Sequence, residues 1–246
     1  MRKLLYVPII HTEADLGSVG KDIAKRGLRE FGATLWKRHQ ETVLGFWDAI
    51  AHYFDSLDVS GYKIFQDGMV VDGALGMRIV EETAKAGSRN YQLVSRLIRK
   101  GALLVKTEDL DLVREERDWI LRITLAKNRA QKLDAALKYK LAKNNLLNKR
   151  DELIAKQIQD ALQEGEKGIL FIGAFHTVTK WLPKDITVEE IKDLRKIKEY
   201  QKLLPFYGGY KEKVERLRMY LMNGCSDPVR PHESNPVLAH NLIIQD

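Results

Sequence analysis

Hydrophobic positions along the chain fall into two kinds of run. Four are short and continuous: LLYVPII (4–10), YKIF (62–65), ALLVK (102–106) and GILFIGA (168–174). Runs of this length, separated by helical stretches, predict strands of a parallel sheet buried on both faces. The remaining apolar residues recur at helical spacing. From Lys21 to Phe54 a stripe of Trp36, Val43, Phe46, Trp47, Ile50 and Phe54 predicts a helix, weakened locally by Gly32 and Gly45. Ala74–Ala86 and Tyr91–Arg99 predict two shorter helices, broken at GSRN. Leu110–Glu164 predicts one long helical segment, or two with a bend near Asn144–Asn145. Its inward row of Leu146, Leu153 or Ile154, Ile158 and Leu162 feeds the last apolar run. A capping box, Thr187-Val-Glu-Glu190, predicts a helix start after Pro183, with helix to 222 broken at Pro205 and Gly208–Gly209. Residues 223–246, with three prolines, predict an extended tail wrapping the surface.

These elements define an α/β fold: a short, mostly parallel central sheet flanked by helices, with a helix-rich elaboration in the middle of the chain. Its 246 residues, 44% hydrophobic, suit one domain spanning 1–246. No apolar run approaches the ~20 residues that span a bilayer. The N-terminal apolar run meets His11, Glu13 and Asp15 without a small-residue cleavage site, so it reads as a first strand and the protein as cytoplasmic. The one cysteine, Cys225, excludes an internal disulfide and a multi-cysteine metal site, and reads as an inert thiol. The net charge of +7 raises the question of a nucleic-acid partner. The basic residues are interleaved with acids and no aromatics line a basic stripe, which disfavours one. The aromatic helix around 35–55 is expected in the core, with a pocket lid or a homo-oligomer interface as alternatives.

Each predicted strand stops at a polar cluster: His11-Thr-Glu13, Gln66-Asp67, Thr107-Glu108-Asp109 and His176-Thr177. In parallel strands all four clusters share one sheet edge, where open α/β folds bind ligands. Two histidines and several carboxylates there suit a divalent metal or an acid/base pair. Bland readings compete. Strand ends turn polar as they meet solvent, Glu108-Asp109 can cap the helix that follows, and Asp67-Gly68 can form a turn. Gly173 strengthens the case for His176, because glycine inside an apolar strand marks close approach or a bend. Arg150 continues the inward row of its helix at spacing four, and a core-facing arginine wants a carboxylate or an anionic ligand. A solvated helix start, or a salt bridge to its neighbours Asp151 or Glu152, is the alternative for Arg150. His39 and His52 read as structural or surface residues, and His232 and His240 have no partner pattern. There is no phosphate-binding glycine loop, nucleophile elbow or H-E-x-x-H zinc motif.

The stretch NKRDELIAKQIQDALQEGEKGILFIGAFHTV resembles the closing motif of the TraB/PrgY/Tiki group, a helix opening on R-(N/D) followed by a strand ending in G-A-x-H. PIIH at the first strand resembles more loosely the group's opening G-T-x-H, without its glycine. Gln66 stands where the group's acid after the second strand would fall, with Asp67 beside it. The resemblance is close over about thirty residues and implies membership of the erythromycin-esterase/ChaN-like superfamily. It implies His11 and His176 as core site residues, Arg150 as a site-facing cation, and Asp67 or Glu108 as the acid.

The expectation is therefore a metal-dependent hydrolase acting on a small-molecule or peptide substrate. His11, His176 and one carboxylate, Glu13 or else Asp67 or Glu108, would hold a divalent ion. Glu108 or Asp67 would serve as base, and Arg150 would meet developing charge. The alternative is a non-catalytic protein that binds a small ligand in the same pocket.

Overall fold

The structure is a computed structural model that describes residues 1–225. The expected tail beyond Cys225, with His232 and His240, lies outside the described residues. Five parallel strands form one sheet in the order β3-β2-β4-β1-β5. They are β1 (Arg2–Ile9), β2 (Lys63–Gln66), β3 (Leu103–Val105), β4 (Lys167–Gly173) and β5 (Ile186–Glu190). The helices are α1 (Gly20–Asp55), α2 (Gly73–Lys85), α3 (Arg89–Arg99), α4 (Leu110–Thr124), α5 (Arg129–Ala161), α6 (Leu194–Leu203) and α7 (Tyr207–Met222). Parallel neighbours need crossovers, and the helices supply them on both faces.

Alternation along the central strands divides the core. Leu5, Val7 and Ile9 of β1, with Ile169 and Phe171 of β4, face a layer built from α1, α3, α6 and α7, whose stripe contributes Phe46, Trp47, Ile50 and Phe54. Leu4 and Tyr6, with Leu170 and Ile172, face the other way against Ile154, Ile158 and Leu162 of α5. The aromatic stripe is thus core from Val43 onward, as its periodicity predicts.

Three expectations are corrected. The Thr187–Glu190 segment is strand β5, not a helix start. It pairs with the edge of β1 in the register Arg2↔Ile186 to Tyr6↔Glu190. β-branched Ile186, Thr187 and Val188 satisfy that open edge, and helix begins only at Leu194, where Asp193 accepts the amides of Arg195 and Lys196. The long middle segment breaks at 125–128, not near Asn144–Asn145. Asn128 caps α5 by accepting the Gln131 amide at 2.9 Å, and α4 folds back along α5. The first helix reverses at Gly32, whose φ of 76° is left-handed. Its N-terminal part returns so closely that a Cβ on Gly27 would strike the Trp36 ring at 2.3 Å.

Candidate functional site

Register brings the strand ends together. Ile9 of β1 lies level with Gly173 of β4, and Gln66 of β2 lies level with Phe171. Asp67 therefore leaves β2 beside the last turn of β4. Its Oδ2 accepts the Gly173 amide at 3.0 Å and lies 4.0 Å from His176 Nε2. The approach at Gly173 is close, since a Cβ there would sit 3.2 Å from Asp67 Oδ2 and 3.4 Å from His176 Cδ2, so a side chain would press on both groups.

His176 is buried, and its Nδ1 meets Asp151 Oδ1 at 2.5 Å. The other oxygen of Asp151 accepts the Thr177 amide at 2.6 Å and its hydroxyl at 2.8 Å. Asp151 is thus fixed by the backbone of the loop whose histidine it orients, and the bond assigns the ring proton to Nδ1, leaving Nε2 as acceptor. Burial opposes the charged imidazole, but the Asp151 hydrogen bond and the Asp67 charge outweigh it and raise the His176 pKa above 6.5.

Next to Asp151 on α5, Arg150 enters from the core-facing row and is 5% exposed. Its Nε and Nη2 each meet Glu108 at 2.6 Å, Nη2 also meets Asp67 at 2.9 Å, and Nη1 pairs with Glu116 of α4. Glu108 also accepts the Gly68 amide at 2.7 Å. Burial, then the neighbouring Asp67 charge, pushes the Glu108 carboxyl up to about 7 against the pull of Arg150. For Asp67 burial also favours the neutral form, but His176, Arg150 and His11 together hold its carboxyl well below the usual range. Of these two carboxyls, the surroundings favour the ionised form at Asp67 and the neutral form at Glu108.

The predicted residues divide accordingly. Asp67, Glu108, Arg150 and His176 converge. Asp109 does cap α4, accepting the Asp111 and Leu112 amides at 2.9 and 3.2 Å, whereas its neighbour Glu108 turns into the site. His11 is exposed at the rim, near enough to Asp67 to favour its ionised form. Glu13 is exposed in the 3-10 turn after β1. Among the described residues no group of three His, Cys, Asp or Glu side chains is placed to hold a metal ion. The expected set of His11, Glu13 and His176 is not brought together as such a group: His11 and Glu13 are exposed, whereas His176 is buried with Nδ1 on Asp151 and Nε2 4.0 Å from Asp67. Arg150 is likewise saturated by carboxylates and does not present a free cation to an anionic substrate.

Sequence reasoning missed three participants. Asp151 appeared only as a salt-bridge partner for Arg150, although its place in the R-D pair was the available signal. Tyr6 sits within an apolar strand. Its buried hydroxyl has no partner among the described residues, and the nearby charges of Asp151, Glu190 and Asp67 add to burial in holding its proton. Glu116 lies on an exposed-looking helix, and nothing in its local pattern marks it. Comparison of the chain with family models, curated proteins and solved structures gives no match. Among the described residues no helix is long and apolar enough to cross a membrane.

Proposed function

We propose that this chain is a hydrolase of the TraB/PrgY-like type whose acid/base group is His176, working at the C-terminal ends of the strands. The observation that carries the reading is the 2.5 Å bond between His176 Nδ1 and Asp151. It fixes the tautomer in which Nε2 takes a proton from attacking water and later returns it to the leaving group. Asp151 orients the ring and favours the imidazolium that forms. Tyr6 supplies an unengaged hydroxyl donor to developing negative charge. Arg150, Glu108 and Glu116 are positioning residues: their ion pairs hold Asp67 against Gly173 and so set the far side of the imidazole. The two halves of the stretch resembling the TraB/PrgY/Tiki motif meet here, since R-D delivers Arg150 and Asp151 while G-A-x-H delivers Gly173 and His176. That convergence supports the resemblance.

A panel of neutral p-nitrophenyl and coumarin esters and amides tests the reading. His176→Ala is expected to lower kcat/KM about 10³-fold. The wild-type acid limb should lie above pH 6.5, because the raised pKa keeps Nε2 protonated at lower pH. Asp151→Asn should move that limb to lower pH as well as reduce the rate. Turnover indifferent to His176→Ala would refute the assignment, and no turnover across the panel would favour the binding protein.

A further inference from the structure

Beside the strand ends lies a cavity of about 910 Å³, within the size range of small-molecule sites. Its floor is the chain leaving β1, from Ile10 to Glu13, and one wall is α1 at Trp36, Val43 and Leu44. Its roof is the N-terminal part of α1, including Ile23 and Ala24, folded back at Gly32. We infer that this cavity binds a neutral, predominantly apolar group, an acyl chain or an aromatic ring system, carried by the substrate next to its scissile bond. The word substrate rests on the hydrolase reading above; the cavity and its ligand class do not.

Three observations support the inference. The first is charge. In a chain of net charge +7, the formal charges in the cavity wall are one acid, Glu13, and one base, Lys21. His39, also in the wall, is pushed down to about 4 by burial and is neutral at pH 7. The two formal charges cancel, so the wall carries no net charge to draw an ion of either sign onto its apolar lining. The second is construction. Trp36 stacks on Phe31 at 6.1 Å and lies 5.3 Å from the His39 ring, which is bonded in turn to the Tyr200 hydroxyl at 3.0 Å. These contacts fix the aromatic wall, and the close approach of Gly27 to Trp36 fixes the roof above it. The third is position. His11 lines the cavity and follows β1 two residues after Ile9, which is level with Gly173, and Gly173 precedes His176 by three residues, so the cavity floor leads toward the sheet edge where His176 stands. The Thr12–Asp15 turn holds that passage: Asp15 accepts the Thr12 amide at 2.5 Å and its hydroxyl at 2.9 Å, and it also accepts the Ser88 hydroxyl of the loop before α3.

The probe is N-phenyl-1-naphthylamine, an uncharged fluorophore, titrated into the full chain with Trp excitation. A single saturable phase with energy transfer is expected, competed by 1-naphthol and at least 10-fold less well by 1-naphthyl phosphate. Ala24→Trp, in the roof, and Leu44→Trp, in the opposite wall, are expected each to weaken the probe at least 10-fold at unchanged circular dichroism. Having two variants guards against one failing to fold. In the ester panel, kcat/KM for the octanoate should exceed that for the acetate at least 10-fold, and Ala24→Trp should abolish the preference. Saturable binding without ester turnover supports the cavity and overturns only the hydrolase. Non-saturable binding, indifference to both filling variants, or equal competition by the phosphate overturns the inference.

Discussion

At the residue scale the site is a contest between burial and charge. Three carboxylates surround Arg150, and despite that one cation, burial with the Asp67 charge raises the Glu108 carboxyl. Its pKa in the folded chain, about 7, is above the ordinary 4.5. A raised carboxyl binds its proton more tightly in the folded state. Its stabilising contribution is complete below pH 4.5 and is lost as pH rises through 7. At 1.36 kcal/mol per unit, that loss is about 3 kcal/mol. Asp67, depressed, contributes in the opposite sense and loses its contribution only in acid, below this window. Urea unfolding at pH 4.5, 5.5, 6.5 and 7.5 should therefore show wild type declining relative to Glu108→Gln by about 3 kcal/mol. Parallel curves would mean that Glu108 ionises normally. The residue types at the strand ends were readable because a polar residue after an apolar strand is a local signal. The partners Asp151, Tyr6 and Glu116 were not, because each acts through a contact between distant segments that no local spacing encodes.

At the scale of elements, β2, β3 and β4 were legible within a few residues, because a continuous apolar run has few ways to be satisfied. The 187–190 stretch was not. Thr-x-x-Glu before a basic, amphipathic run is a helix-start signature, and it is also a short alternating strand. The free edge of β1 decides between the two, and one sequence window does not contain that edge. The two assignments differ measurably. As a helix N-cap, Thr187 would contribute about 1 kcal/mol; as an exposed residue of strand β5 it contributes a few tenths. Asp193, accepting the Arg195 amide at 2.8 Å, carries the cap instead. Thermal or urea denaturation should give Asp193→Ala a loss of about 1 kcal/mol and Thr187→Ala little change. The reverse order would argue against β5.

At the scale of the whole molecule, the site ties an appendage to the sheet. Helix α5 is 33 residues long, and only its C-terminal part, from Ile154, packs on the sheet face. Its first half pairs with α4 and leaves Leu133, Leu137 and Leu141 exposed. Such a hairpin has little buried apolar surface, so it should open locally at lower cost than the core. Glu116 is its link to the site, pairing with Arg150 Nη1 and accepting the Tyr139 hydroxyl at 3.1 Å. Losing that carboxylate frees the hairpin but leaves Arg150 paired to Glu108 and Asp67. Hydrogen exchange should accordingly be faster over 129–145 than over 146–161. Glu116→Gln should speed exchange in α4 with the sheet amides unchanged. Uniform protection along α5 would show the hairpin to be part of the core unit. Acceleration spreading into β2 and β4 would show that Glu116 holds the strand ends themselves, making the appendage a structural member of the site.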